Sequence, residues 1–416
     1  MTARTRAHAT VEAVWRIESA RVIAGLARLV RDVGVAEELA QDALVAALEQ
    51  WPRDGVPDNP GAWLMATAKH RAIDALRRRG RYDEKLRELG RGLTDVAEPE
   101  LDHVGDDLLT LIFMACHPVL STESRVALTL RLLGGLTTQE TARALLVPEP
   151  TVAQRIVRAK KSLAGVRFEP PEPPELAERL ASVLEVVYLI FNEGYAATAG
   201  DDWVRPALCD EALRLGRILT ALVPDEAEVH GLVSLMEFQS SRFAARTDVD
   251  GKPILLEDQN RTRWDRAQIQ RGVAALERAA NTLQRKGVGW GPYALQAALA
   301  ECHAVAPKAT DTDWTRIVLL YDGLRRVAPS PVVELNRAVA VAMADPVAGP
   351  ASALEIVDNL DGLAGSYLLP SVRAELLVRL GRRAEAADEF DRAATMTDNE
   401  REREVLADKA AQARRR

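Results

Sequence analysis

The sequence is poor in cysteine and in long apolar runs, and each shortage excludes a class of protein. Its 416 residues include only three cysteines, Cys116, Cys209 and Cys302, which provide neither a disulfide framework nor a cluster of metal ligands. No apolar run approaches the roughly 20 residues that a membrane-spanning helix needs. Residues 1–10 are polar and lead into no apolar core, so we expect no signal peptide. We therefore expect a cytoplasmic protein without a metal or a cofactor.

Aromatic residues are also scarce, at 5% of the chain, whereas hydrophobic residues make up 47% and charged residues 28%. These proportions are typical of a globular protein with a real core. Alanine, leucine and arginine dominate, and all three are good helix formers. The composition therefore predicts an all-α fold, and the length allows two or three domains.

The net charge of −7 is unusual for a protein that binds nucleic acid, but it is unevenly distributed. Residues 1–169 hold 24 of the 54 Lys and Arg residues and 23 of the 61 Asp and Glu residues, a net of +1. The rest of the chain holds the remaining 30 cationic and 38 acidic residues, a net of −8. Only the first part is suited to phosphate, and we expect the acidic second part to meet proteins or small molecules.

Composition and periodicity divide the chain into four regions. Residues 8–79 are predicted to form a helical domain, and the polar, aperiodic residues 80–105 a linker. Residues 106–168 are predicted to form a second small helical domain. The proline-rich segment EPPEPPEL (169–176) then leads into a long helical region, 175–416.

The stretch LTTQETARALLVPEPTVAQRIVRAKKSL (136–163) has the pattern of a helix-turn-helix. Thr137 or Thr138 can cap a first helix whose first turn contains Glu140. The prolines at 148 and 150 are predicted to break this helix, and Thr151 to start the second. The second helix carries one polar, largely cationic face, formed with Thr151 by Gln154, Arg155, Arg158 and Lys161. This face suits DNA reading, and the alternative is a solvated helical hairpin.

Two earlier segments carry further candidate surfaces. Asn59 can cap a helix that runs to Arg79. One face of that helix mixes an aromatic ring, a hydroxyl and cations, as suits unstacked bases: Trp63, Thr67, His70, Arg71, Asp74, Arg77 and Arg78. The alternative is a tryptophan in the core and arginines at a helix end. Just upstream, a helix beginning near Asp32 turns Glu38, Gln41 and Asp42 outward, either as a solvated face or as a docking surface for a partner.

In this order, the three segments resemble the extracytoplasmic-function (ECF) sigma factors of the sigma-70 family. The resemblance covers residues 10–167. It implies that DxxxAEELAQDAL at Asp32 docks on core RNA polymerase, through Asp32, Glu38, Gln41 and Asp42. NPGAWLMATAKHRAIDALRRR (59–79) would open and read the −10 element, with Asn59 among its contacts. The helix-turn-helix would read the −35 element. Nucleotide chemistry would belong to the polymerase, so the chain is not expected to be an enzyme.

The region after residue 175 is similar to the tetratricopeptide-like extension of one ECF group. SYLLPSVRAELLVRLGRRAEAADEFDRAATMTDN (366–399) places small or apolar residues where that repeat needs them: Ala374, Leu377, Gly381, Ala386, Phe390 and Ala393. We expect a stack of helix pairs that regulates the sigma domains and has a protein or ligand partner. A generic helical bundle is the alternative.

Three polar clusters in this region are candidates for an active site. We interpret Asn192–Tyr195 as a helix end and Glu257–Arg261 as a loop that packs on the repeats. Cys302–His303 is better explained as a buried pair than as part of a metal site. Two other function classes stay open from sequence: a stand-alone helix-turn-helix regulator with a sensor domain, and an enzyme fused to a DNA-binding head.

Overall fold

The computed structural model describes residues 3–87, 104–195, 205–248, 254–363, 365–397 and 400–415. Eighteen α-helices lie in these ranges, 77% of the chain is helical, and the described residues contain no β-strand. The prediction of an all-α fold is confirmed. Within the same ranges, no helix is long and apolar enough to cross a membrane. The chain forms two compact units, one of residues 1–194 and 210–222, the other of residues 195–209 and 223–416.

The first unit consists mainly of nine helices. They are α1 (Ala3–Val30), α2 (Val33–Asp54), α3 (Pro60–Arg87), α4 (Val104–Ala115), α5 (Thr122–Leu132), α6 (Thr138–Ala144), α7 (Glu149–Leu163), α8 (Pro173–Tyr195) and α9 (Pro206–Leu222). The α1–α3 core contains many alanines, among them the fully buried Ala27, Ala36, Ala43 and Ala68. Small side chains let the helix backbones approach closely, so a core with few aromatics can still be dense.

Side-chain caps explain where several helices begin. Asp32 accepts a hydrogen bond from the Val35 N–H at the start of α2, at 2.9 Å. Asn59 accepts one from the Ala62 N–H at the start of α3, at 3.1 Å. Thr137 and Glu140 form the predicted capping box of α6, each side chain accepting a hydrogen bond from the other residue's backbone N–H.

Three predicted boundaries differ from the structure. α7 begins at Glu149, not at Thr151, because Pro150 lies in the first turn, where a missing N–H costs nothing. α3 continues past residue 79 to Arg87, into the segment predicted as a linker, and residues 88–103 lie outside the described ranges.

The third difference is that α8 belongs to the first unit, so that unit does not end before residue 175. The Arg179 guanidinium donates to the Phe113 carbonyl oxygen at 2.9 Å, and the Ser182 hydroxyl donates to the Cys116 carbonyl oxygen at 2.8 Å. Arg125 of α5 donates in turn to the Ser182 hydroxyl at 2.6 Å. Carbonyl groups at the end of a helix need donors from elsewhere, and α8 supplies them to α4.

The second unit is a series of packed helices. Its helices are α10 (Ala227–Ser240), α11 (Arg266–Lys286), α12 (Pro292–Ala304), α13 (Trp314–Val327), α14 (Pro331–Ala344), α15 (Gly349–Asp358), α16 (Leu368–Arg379), α17 (Arg383–Thr395) and α18 (Glu400–Arg415). Neighbours in sequence pack against each other along the series. Five of the six predicted repeat positions are buried, namely Ala374, Leu377, Ala386, Phe390 and Ala393, and Gly381 is exposed. Stacked helix pairs of this kind are the architecture expected of a helical-repeat domain.

Candidate nucleic-acid interface

The second helix of the predicted helix-turn-helix, α7, separates its apolar and cationic faces cleanly. Val152, Ile156, Ala159 and Leu163 are buried. The predicted DNA-reading residues lie on the other side: Gln154, Arg158 and Lys161 are exposed, and Thr151 and Arg155 are half-buried. The structure therefore presents amide and guanidinium groups that can reach phosphate oxygens and base edges.

The predicted −10 face of α3 is partly accessible. The Trp63 ring is half-buried and meets the buried Trp51 edge to face, with ring centroids 5.4 Å apart. Thr67 is half-buried beside it, His70 and Asp74 are exposed, and the Asn59 carboxamide caps the helix. The side chains of Arg77 and Arg78 lie outside the described residues.

The predicted docking face of α2 divides into exposed and covered positions. The Glu38 and Asp42 side chains are exposed, and Asp42 forms an ion pair with Arg71 of α3 at 3.4 Å. Gln41, expected to face outward, is half-buried because its amide donates to Glu37 Oε1 at 2.5 Å. The Asp32 carboxylate is occupied as the cap of α2.

Family models match the chain in three consecutive segments. A sigma-70 region 2 model matches residues 16–82, and a sigma-70 region 4 model matches residues 110–163. A model of a family of unknown function (DUF6596) matches residues 179–280. The segments that carry α1–α3 and α4–α7 are thus matched separately, in the order that the sequence motifs indicated.

Comparisons with individual proteins give one match over most of the chain and one over part of it. An uncharacterized protein of Rhizobium meliloti is 42% identical, covering 91% of this chain and 90% of that protein. The ECF RNA polymerase sigma factor SigC of Mycobacterium tuberculosis is 31% identical over 37% of this chain and 77% of its own length. The chain belongs to the ECF sigma factors. The yeast Tom70 crystal structure matches 91% of this sigma factor and 80% of that chain, at 10% identity and a TM-score of 0.35. At that score the match supports no conclusion about the fold.

As an ECF sigma factor, the chain binds core RNA polymerase and promoter DNA, and the match to region 2 disfavours a stand-alone helix-turn-helix regulator. The family is not enzymatic. Among the described residues, no group of three or more His, Cys, Asp or Glu side chains is placed to hold a metal ion.

Region 2 and region 4 of this sigma factor meet at one buried carboxylate. Glu37 of α2, whose side chain is only 3% exposed, forms an ion pair with Arg131 of α5 at 2.6 Å and another with Lys160 of α7. Gln41 donates to the same carboxylate, and the Arg131 guanidinium also donates to the Leu136 carbonyl oxygen at 3.0 Å. We call Glu37, Gln41, Arg131 and Lys160 the Glu37 junction.

Local geometry supports the junction. A Cβ at Gly34 would lie 3.6 Å from the Lys160 alkyl chain, an ordinary van der Waals distance, so α7 lies close to the first turn of α2 there. A cleft of about 370 Å³, lined by residues of α1, α2, α5 and α6, opens beside Glu37.

Sequence reasoning missed Glu37. The helical pattern of α2 placed Glu38 and Asp42 outward correctly, but an acid on the buried face, next to two buried alanines, should have suggested an ionic partner. A buried carboxylate needs such a partner because desolvation of an unpaired charge costs several kcal/mol. Lys160 was counted as one more cation of α7, and nothing in its local sequence separates it from Lys161.

Proposed function

We propose that three surfaces, fully or partly exposed, divide the work of this sigma factor. Glu38 and Asp42 of α2 contact core polymerase. Trp63, Thr67, His70 and Arg71 of α3 hold the opened −10 strand, and the cationic face of α7 contacts the −35 duplex. The chain acts in the cytoplasm and does no nucleotide chemistry itself. The observation that carries this assignment is the separation on α7 of a buried apolar face from an exposed cationic one.

A promoter-binding experiment tests the role of α7. Arg158→Ala removes an exposed guanidinium, and the holoenzyme should lose about 1–3 kcal/mol of promoter affinity if Arg158 contacts a base edge. The affected base pair is found by measuring affinity for a set of −35 variants. Arg167→Ala, an exposed arginine beyond the end of α7, is the matched control. Unchanged affinity and unchanged −35 preference in Arg158→Ala would contradict the assignment.

We infer further that the Glu37 junction holds the free protein in a resting arrangement. Gln41 belongs to the predicted polymerase-docking face, and its amide is engaged by Glu37. Lys160 belongs to the helix that reads DNA, and its ammonium group is engaged by the same carboxylate. A polymerase that binds Gln41, or a DNA that takes up Lys160, competes with the junction. Opening the junction is therefore a step in forming the initiation complex.

Two adjacent lysines provide the test of this resting arrangement. Lys160→Gln removes one ion pair of the junction, whereas Lys161→Gln removes an exposed charge of the same helix. Affinity for core polymerase is measured without DNA, so that direct DNA contacts do not contribute. We expect Lys160→Gln to bind core several-fold more tightly than the wild type and Lys161→Gln to bind equally well. Equal affinity of all three proteins would show that the junction does not restrain docking.

We propose that the second unit regulates the sigma domains and has a partner of its own. The acidic balance of the chain after residue 169 supports this, because an acidic surface attracts cationic helices or competes for their contacts. We favour a supporting role, in which the array is needed for full activity.

The boundaries of the two units determine where the chain should be shortened to test this role. Ending the chain near residue 170 would remove α8 up to residue 194 and α9 from residue 210, and the first unit includes both of these segments. Ending it after Leu222 keeps both helices, and the helical content by circular dichroism checks that the fold survives. We expect the chain ending at Leu222 to have weaker run-off transcription with core polymerase. Transcription equal to that of the full-length protein would contradict a supporting role.

A further inference from the structure

A row of alternating guanidinium and aromatic groups lies within the second unit. The Arg246 guanidinium carbon is 3.7 Å from the Tyr195 ring centroid. The Arg242 guanidinium carbon is 5.9 Å from Tyr195 and 6.0 Å from Trp264, and that of Arg261 is 4.7 Å from Trp264. We call these five residues the arginine ladder. It joins the end of α8, the end of α10 and the loop before α11, all inside the segment matched by the family of unknown function.

The ladder concentrates positive charge without a paired carboxylate. Arg246 and Arg261 are each only 7% exposed. Among the described residues, no carboxylate forms an ion pair with any of the three arginines; the charge of Asp311 acts on Arg261 without such a contact. Burial lowers the pKa of both Arg246 and Arg261, and the neighbouring charge of Arg242 lowers it further.

The hydrogen bonds of the ladder leave donors unused. Toward the described residues, each guanidinium donates through one of its three nitrogens. The acceptors are neutral: the Tyr195 hydroxyl and Gln239 amide for Arg242, the Tyr195 carbonyl for Arg246, and the His303 and Ala306 carbonyls for Arg261. The buried Nε of Arg261 and the buried indole N–H of Trp264 have no hydrogen-bond partner among the residues that the structure describes.

Packing alone does not account for this arrangement. Stacking on aromatic rings explains the order of the ladder and contributes modestly to stability. It leaves N–H donors unsatisfied in the interior, and it leaves three like charges close together where the dielectric constant is low. An anion that accepts hydrogen bonds from several guanidinium groups would satisfy the donors and neutralise the charge.

We propose that the arginine ladder is a binding site for a small oxyanion, such as a phosphate ester or a small dicarboxylate, and that the second unit is a ligand-binding domain. Arg242, the half-buried member, provides the access from solvent. A nucleic acid backbone does not fit, because Arg246 and Arg261 are too buried to reach a polymer. The acidic balance of the chain after residue 169 also disfavours one. Metal cations are repelled by the ladder.

Direct binding to the full-length protein tests the proposal. Equilibrium dialysis with radiolabelled inorganic phosphate, in a chloride buffer of constant ionic strength, measures the affinity and the number of sites. Competition by succinate separates the two ligand classes: displacement at a lower concentration than unlabelled phosphate indicates a dicarboxylate ligand. Thermal stabilisation is a weaker readout, because phosphate stabilises most proteins by exclusion from their surface.

Two arginines of the same region provide the variant and its control. Arg242→Gln removes one ladder charge but no bond to a main-chain carbonyl, so we expect the protein to fold and its phosphate affinity to fall at least fivefold. Arg263→Gln removes an exposed charge two residues from Arg261, and its affinity should stay within twofold of the wild type.

Three outcomes would overturn the proposal: no saturable phosphate or succinate binding, equal loss in both variants, or weak binding at many sites, which would identify an adventitious ion only. None of them bears on the sigma activity, which run-off transcription measures separately. If Arg242→Gln loses helical content, Arg242→Lys replaces it, since a lysine keeps the charge but not the planar donor array, and its phosphate affinity should again fall.

Discussion

Two clusters of buried charge, the Glu37 junction in the first unit and the arginine ladder in the second, are arranged in opposite ways. In the first unit, one carboxylate, Glu37, is enclosed by two cations and an amide. In the second, three guanidinium groups gather around Tyr195 and Trp264, and their acceptors are neutral. A buried charge that has partners inside the protein holds two helices together, whereas a buried charge without such partners can bind a ligand.

The Glu37 junction is therefore a contact within the protein, whereas the arginine ladder is a candidate binding site. The Glu37 junction is complete within the chain, so a binding partner can only compete with it. The arginine ladder is incomplete within the described residues, so an anion can only add to it. Competition at the junction sets an equilibrium between closed and open sigma domains. Anion binding at the ladder couples the stability of the helical array to a ligand.

The largest expected effect comes from breaking the Glu37 junction. Arg131→Met removes a guanidinium that pairs with Glu37 and donates to the Leu136 carbonyl. Because the carboxylate stays buried with one partner fewer, we expect a loss of about 3 kcal/mol in the free energy of unfolding. Urea denaturation measures it. Adding Glu37→Gln should recover part of the loss, since the uncompensated charge is gone. A loss below about 1 kcal/mol would mean that the junction stabilises little.

A smaller effect is expected from pH, through His303 beside the ladder. Burial, and then the charges of Arg242 and Arg261, lower the pKa of His303 to about 4, and its ring packs edge to face on Trp314. The unfolded chain therefore binds a proton between about pH 6.5 and pH 4 that the folded chain does not. Stability from this group is complete above pH 6.5 and is lost as the pH falls toward 4.

We expect this loss to be about 2 kcal/mol, less than the full linkage value because His303 is partly exposed. His303→Gln should remove that part of the pH dependence, and His70→Gln, at an exposed position of α3, should not. Bound phosphate should reduce it too, because an anion weakens the field of Arg242 and Arg261. A pH profile of His303→Gln equal to that of the wild type would disprove the assignment.

Much of this comparison lies beyond what sequence reveals. Local signals predicted the capping box at Thr137, the cap at Asn59 and the exposed face of α7, because each depends on residues a few positions apart. The Glu37 junction joins residues 94 positions apart in sequence, and the ladder joins Tyr195 to Arg242 across 47. Such pairs depend on tertiary packing. The polar run before Trp264 was interpreted as a loop that packs on the repeats, and nothing local indicated that Arg261 is buried.

Removing a charge from the ladder should cost less than removing one from the junction. Arg246→Met loses one hydrogen bond to the Tyr195 carbonyl and the stacking on its ring, but it also relieves a buried charge that has no counter-ion among the described residues. We expect a net loss of about 1 kcal/mol. Urea denaturation in chloride buffer measures it. A loss as large as that of Arg131→Met would show that the charge of Arg246 is compensated. The Glu37 junction and the arginine ladder would then not differ in how their buried charges are compensated.

The smallest effect is expected at a solvent-exposed ion pair between the same two sigma regions. Arg16 of α1 pairs with Glu140 of α6 at 2.7 Å, and the Arg16 side chain is 61% exposed. Glu140 does not depend on Arg16, because its second carboxylate oxygen accepts a hydrogen bond from the Thr137 N–H at 2.8 Å in the capping box. Exposed pairs contribute roughly 0–1 kcal/mol and are screened by salt. Arg16→Gln should therefore cost about 0.5 kcal/mol in dilute buffer and nothing measurable in concentrated NaCl, while the loss in Arg131→Met persists. If the two variants lose equal stability with equal salt dependence, burial is not what distinguishes Glu37, and competition at the junction loses its physical basis.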